Sequence, residues 1–366
     1  MLGWRVLRAA LIGFPSSGKT TLFQLMTSAK DAPRAKADVN IGISKVPDSR
    51  LDVLTSMYNP RKRVPATVEF TDLAVTRASA QALVDVAGYK NADALVHVVR
   101  AFRDDSVPHP SGSVNPERDA QAMEEELLLA DLGVAERRIE RIHKDLKKGR
   151  SPELEKERDL VQHCKTALEN GTPLRALDLA GDDLKRLRGF QFLSAKPLLV
   201  VINLDESYLS EVGSDVSRAA EQTGLTAFLA RAATKAVAVC VKIELEIAQL
   251  EGDDAQAFLS DLNLTESGLD RVIRTTYELL GYMSFFTVGE DECRAWSIAH
   301  GTAAQLAAGE IHSDIQRGFI RAEVVAYNAL VARGSMAACR EHGEVRLEGK
   351  EYVVRDGDII NFRFAT

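Results

Sequence analysis

The segment Leu11–Phe23, LIGFPSSGKTTLF, constrains this chain more than any other. It fits the phosphate-loop pattern G-x-x-x-x-G-K-[ST] position by position: Gly13, the four spacers Phe14, Pro15, Ser16 and Ser17, then Gly18, Lys19 and Thr20. Its flanks agree with that reading. Val6–Ile12 is an apolar run of strand length, and Thr21–Thr27 opens a helix with Leu22, Leu25 and Met26 at helical spacing. Strand, loop and helix in this order are the context in which the motif binds nucleotide. A Gly-Ser turn that merely matches the pattern would not need them.

The residue types follow from the ligand. Polyphosphate oxygens want N–H donors without bulky side chains, so Gly13 and Gly18 let successive amides point inward, and the helix start adds partial positive charge. Lys19 supplies a full charge for the β- and γ-phosphates, and the Thr20 hydroxyl suits Mg²⁺. The expected nucleotide-binding set is Gly13, Phe14, Pro15, Ser16, Ser17, Gly18, Lys19, Thr20 and Thr21.

The rest of the chain reads as α/β with two further textures. VEFTD (Val68–Asp72) ends a strand in a carboxylate, and ALVHVVRAF (Ala94–Phe102) and KPLLVVIN (Lys196–Asn203) are continuous apolar runs. Such runs suit strands covered on both faces of a parallel sheet. AVAVCVKIE (Ala236–Glu244) reads as another strand, and polar Asp31–Ser44 as a mobile loop. From Glu117 to about Phe192 the chain is charged, leucine-rich and helical in period, with a turn near Lys147–Glu153. Before that turn, ERRIERIHKDLKKGR gathers Arg137, Arg138, Arg141, Lys144, Lys147, Lys148 and Arg150, either a solvated face or an RNA contact. From Met283 onwards, runs such as CRAWSIA and KEYVVRDGDIINFRF alternate with turn signals, as in a small α+β module.

With 366 residues there is room for two or three domains. A formal charge of −7 argues against wholesale coating of nucleic acid, so no DNA contact is expected and RNA would need local basic patches. No apolar run reaches membrane-spanning length and no signal peptide is apparent, so a cytoplasmic protein is expected. Cys164, Cys240, Cys293 and Cys339 show no C-x-x-C pairing, which makes zinc a poor expectation.

Together these features resemble the Obg-like ATPase (YchF) family of P-loop proteins related to translation factors. RAWSIAHGTAAQLAAGEIHSDIQRGFIRAEVVAY (Arg294–Tyr327) and GKEYVVRDGDIINFRF (Gly349–Phe364) are similar to that family's C-terminal TGS domain. VPDSRLDVL (Val46–Leu54), ADLGVAERRIERI (Ala130–Ile142) and LRALDL (Leu174–Leu179) are similar to other family blocks in the same order. The resemblance implies a Rossmann-like GTPase-type domain in two parts (1–116 and 195–282), a helical coiled-coil insertion (117–194) and a C-terminal β-grasp, TGS-like domain (283–366). It also implies ATP as substrate, Mg²⁺ held by Thr20 and Asp72, and association with the ribosome or structured RNA through the Arg137–Arg150 tip and the TGS-like domain.

At the base site the sequence keeps the family's N-x-x-E pattern and differs from guanine-specific relatives, whereas the turnover machinery is where it departs from the family. Guanine-specific proteins use N-K-x-D, whose Asp accepts two hydrogen bonds from the base. Here NLDE puts Asn203 and Glu206 at those places, and the longer Glu206 displaces the acceptor pair. Val241, in CVKIE, falls on the second base-contacting loop or on a plain strand end. The family's D-x-A-G reads DLAV from Asp72, with Val75 replacing the glycine, and Lys36 stands where a metal-closing threonine is expected. His109, in PHPSGSVNP, is the candidate catalytic group beside Lys19, or else a loop histidine. A slow ATPase is therefore expected. The rivals are an inert ATP-binding module, a GTPase and, least supported, a small-molecule kinase.

Overall fold

The computed structural model describes residues 6–27, 39–73, 89–149, 151–250 and 252–365. Its strands, in chain order, begin with β1 (Arg8–Ile12), β2 (Val39–Lys45), β3 (Lys62–Val64) and β4 (Thr67–Leu73). Next come β5 (Ala94–Arg100), β6 (Leu198–Asn203), β7 (Thr234–Val239) and β8 (Tyr282–Thr287). The last are β9 (Glu292–Ala299), β10 (Phe319–Ala326), β11 (Arg346–Glu348) and β12 (Asp358–Phe364). The first six α-helices along the chain are α1 (Lys19–Thr27), α2 (Ser49–Tyr58), α3 (Pro116–Leu146), α4 (Pro152–Glu169), α5 (Gly181–Leu187) and α6 (Glu206–Val212).

Two compact units form. One comprises residues 8–42 and 69–279, the other residues 1–7, 43–68 and 280–366. The nucleotide-type sheet has the order β2-β4-β1-β5-β6-β7, with β1 parallel to both β4 and β5, and β5, β6 and β7 parallel in turn. The chain leaves β1 towards one side and later returns to build the other. That reversal leaves a crevice beyond the carboxyl ends of the strands, where α/β sheets bind ligands. Every residue of β5 and β6 is buried, which is why their sequences carry no alternation.

The long helix α3 starts at Asn115, whose side chain accepts from Arg118 N–H, with Pro116 in the first turn where its missing N–H costs nothing. Met123, Leu127, Asp131, Ala135, Ile139 and Ile142 form its buried stripe, spaced by three or four. The upper part of the stripe packs on the sheet core, while Leu128, Ala135 and Ile139 meet Leu160, Val161, Cys164 and Leu168 of α4. The bidentate pair Arg138–Glu157, at 2.7 and 2.8 Å, crosses between the two helices. The predicted turn lies between Leu146 and Pro152, but between Glu169 and Phe192 only short helical pieces follow. The helical pair belongs to the same unit as the parallel sheet.

The second sheet has the order β11-β10-β12-β8-β9-β3 and packs Phe285, Trp296, Phe319, Val324 and Phe362 against Ala304, Ala307 and Ala308 of a short helix. Residues 43–68 contribute its edge strand β3, which runs parallel to β9.

Three sequence expectations need correction. AVAVCVKIE is a strand only to Val239, and a helix, Val241–Ile247, takes over. Val39–Lys45 is a strand and not loop. In KEYVVRDGDIINFRF only Asp358–Phe364 is a strand, with Gly357 at φ 83° turning the chain into it.

Candidate nucleotide site

The phosphate loop follows β1 at the carboxyl edge of the sheet. Gly13 has no room for a side chain, because a Cβ there would meet Val98 O at 2.6 Å. At Gly18, with φ 92°, a Cβ would collide with Asn203 Nδ2. The spacers divide their work. Phe14 is buried in the sheet core and anchors the loop, Pro15 and Ser16 are exposed, and Ser17 is buried. Ser17 N–H donates to Phe14 O at 3.3 Å, and Leu22 N–H to Gly18 O at 2.9 Å.

Lys19, Thr20 and Asp72 converge. Lys19 Nζ donates to Asp72 Oδ1, and Thr20 Oγ1 to Asp72 Oδ2 at 3.0 Å. The Lys19 and Asp72 side chains are 7% and 1% exposed, so the two charges face each other out of water. A hydroxyl and a carboxylate side by side are the hard oxygen donors that Mg²⁺ accepts, with phosphate and water completing its shell. Among the described residues no cluster of three or more His, Cys, Asp or Glu forms a self-sufficient metal site. Thr21 lies one position further into α1, half-buried.

Asn203, at the end of β6, is 3% exposed. Its Nδ2 donates to Ser17 O at 2.9 Å, and its Oδ1 accepts from Val241 N–H at 3.1 Å. Both ends of the amide are therefore spent on the protein, tying the phosphate loop to the helix Val241–Ile247. Glu206 opens α6 after the Asp205 cap and pairs with Lys242 Nζ at 2.5 Å, both side chains half-exposed or more. The carboxylate raises the Lys242 ammonium above its usual range. Glu244, in the helix Val241–Ile247, is buried and accepts from Ser267 Oγ and Gly268 N–H, each at 2.7 Å, at the start of the helix Gly268–Leu279.

His109 is not brought to these groups. Its side chain, 3% exposed, turns onto the first turn of α3. Nδ1 accepts from Ser111 N–H at 3.1 Å, which puts the ring proton on Nε2. Nε2 lies 2.9 Å from Asp119 Oδ2 but outside hydrogen-bond geometry. Asp119 Oδ1 also accepts from Arg118 Nε and Nη2 at 3.0 and 2.8 Å. Lys36, Val75 and Arg150 lie outside the described residues.

Sequence reasoning missed Asp119, Lys242 and Glu244. Lys242 and Glu244 sit inside CVKIE, and Asp119 follows PHPSGSVNP by three residues. The signal was there, but not the partner.

A lysine and a threonine opening a helix at the switch point of a parallel sheet, facing an aspartate from the next strand, define a P-loop nucleotide-binding protein. Three comparisons narrow that class. The YchF-GTPase C-terminal family model, described as a protein of unknown function (DUF933), matches residues 282–365. The ribosome-binding ATPase YchF of Bacillus subtilis (strain 168) is 41% identical over 98% of this chain and 99% of its own length. That of Escherichia coli O157:H7 is 35% identical over the same shares. The solved Schizosaccharomyces pombe YchF GTPase superposes with a TM-score of 0.83 at 28% identity, covering 98% of this chain and 97% of that one. The chain belongs to the YchF family.

Proposed function

We propose that this chain binds ATP in preference to GTP, hydrolyses it slowly with Mg²⁺, and works in the cytoplasm as a ribosome-associated regulator. The observation that carries the reading is the Lys19–Thr20–Asp72 cluster beside a base loop that ends in Glu206 instead of aspartate. Lys19 would move its charge from Asp72 to the phosphates, and Thr20 Oγ1 with Asp72 would hold Mg²⁺, directly or through water. When bound, the metal compensates charge on the phosphates. Glu206 would address the base, while Lys242 draws its carboxylate away from the two-pronged geometry that guanine needs.

Ribosome association is carried over from the names of the bacterial relatives. It is supported by the exposed end of α3, where Arg137, Arg141, Lys144 and Lys147 make no ion pair among the described residues. No helix among the described residues is long and apolar enough to cross a membrane. The family's structural relative is called a GTPase, so base preference is the point to test. Calorimetry with ATP, GTP and their non-hydrolysable analogues, with and without Mg²⁺, should give tighter binding of ATP. Equal or tighter GTP binding would overturn the preference.

The fastening of His109 to Ser111 and Asp119 favours a second reading, an ATP-binding module without turnover. A sensitive phosphate-release assay separates the two.

A further inference from the structure

We infer that a second ligand site lies at the amino-terminal edge of the parallel sheet, opposite the phosphate loop, and takes a small organic anion with an apolar body. A cavity of about 800 Å³ opens there. One side is made by the starts of the strands: Arg8 of β1, Lys90–Asp93 before β5, Ala195–Pro197 before β6 and Ala233 before β7. The other side is the family block LRALDL, five of whose six residues line the cavity, continued by Leu184, Leu187 and Phe192. Nothing in the nucleotide site uses that block.

The polar side is cationic. Arg8, Lys90, Arg175, Arg188 and Lys196 face Asp93 and Asp178, and positive charge stays in excess after Glu69 and Glu124 are counted as partners of Arg8 and Arg175. Two of these cations are under-served. The Arg175 side chain is 1% exposed, and only its Nη2 is bonded, to both oxygens of Glu124 at 2.8 and 2.9 Å. Among the described residues its Nε and Nη1 are buried without a partner, which is costly for a guanidinium. Lys196 Nζ donates to the carbonyls of Lys90, at 2.9 Å, and Ala92, and among the described residues to no carboxylate. Burial pushes this ammonium below its usual range, and a bound anion would reverse that.

The opposite wall is leucine and phenylalanine, and Leu184 on its lip is 52% exposed. A cavity of this size suits one ligand of ordinary drug dimensions, bound by an apolar wall and a few placed charges. A phosphate or carboxylate head would sit at Arg175 and Lys196, with the apolar body against the leucines.

Titration calorimetry of the full chain with phenyl phosphate and, separately, octanoate tests this and tells the two head groups apart. At least one probe should bind with one-to-one stoichiometry. Lys196→Met and Arg188→Glu should each weaken it about tenfold or more, the effect of removing a charge-assisted contact. Lys19→Met should leave it unchanged. Arg175→Lys, which keeps a cation for Glu124, guards against simple unfolding and should also weaken binding, with melting curves confirming a folded protein. No binding of either probe at millimolar concentration would overturn the inference. So would affinity unmoved in the folded cavity variants, or abolished by Lys19→Met.

Discussion

Asn203→Ala separates a residue that reads the base from one that braces the loop. In the structure its amide bridges Ser17 O at 2.9 Å and Val241 N–H at 3.1 Å, from a position 3% exposed. Each neutral hydrogen bond contributes about 1 kcal/mol, and a buried partner left unmet costs about 1–3 kcal/mol. Part of that cost is relieved by water entering beside Gly18, so about 2–4 kcal/mol of loop preorganisation should go. At about 1.4 kcal/mol per decade, nucleotide affinity should fall by about 30- to 1000-fold. β6 remains paired on both sides, so the fold should survive. The deciding measurement is calorimetry with ATP and with inorganic tripolyphosphate, which has no base. A bracing residue predicts similar losses for both. If tripolyphosphate binds the variant as it binds the native chain while ATP weakens, Asn203 acts on the base and the bracing account is wrong.

Four further outcomes are expected. Glu206→Asp should shift preference towards GTP, and an unchanged ATP-to-GTP ratio in competition calorimetry would remove Glu206 from base recognition. Reversing Arg141, Lys144, Lys147 and Lys148 together should weaken co-sedimentation with ribosomes and flatten its salt dependence, since every phosphate the tip no longer neutralises takes about 0.9 from the logarithmic slope; unchanged binding would make the basic end only a solvated face. Because His109 is held at Ser111 and Asp119, His109→Ala should leave ATP affinity and the residual rate unchanged, and a lowered kcat at unchanged affinity would restore it as the group that orients water. Burial holds the His97 imidazole down at about 3 against an ordinary 6.5, so the unfolded chain binds a proton there that the folded chain refuses. Stability should therefore fall as pH drops below the ordinary imidazole range, by a few kcal/mol (on the order of 2–3) between pH 7 and pH 4.5 from this group. In urea titrations His97→Leu should lose that much less than the native chain, and equal losses would refute the assignment.

The parallel strands and the phosphate loop were legible because local chemistry decides them. β5 and β6 are buried on both faces and read as unbroken apolar runs, and Gly13 and Gly18 stand where no Cβ fits. AVAVCVKIE misled because its apolar pattern continues across a change of structure: Val241 and Ile243 are buried in the helix as Val237 and Val239 are in the strand. Asn203 could be recognised as a polar group at a strand end, but a sequence does not say whom its amide serves. The same holds for His109, whose partner Asp119 is ten residues away on a different element. Least legible was β3, three residues whose pairing with β9 spans more than two hundred positions and leaves no periodic trace.

That pairing bears on how the chain can be made. Lys62–Val64 finds its partner only when Glu292–Arg294 has been synthesised, and Arg50 likewise waits for Asp356 and the ring of Phe286. During translation the segment 43–68 must wait, with its strand edge unpaired, until Glu292–Arg294 has been made more than two hundred residues later. Pairings of such separation carry a large loop-closure cost and slow the final step of folding. An excised carboxy-terminal fragment starting at residue 280 would expose the edge of β9 that β3 covers, and that open strand edge would invite self-association.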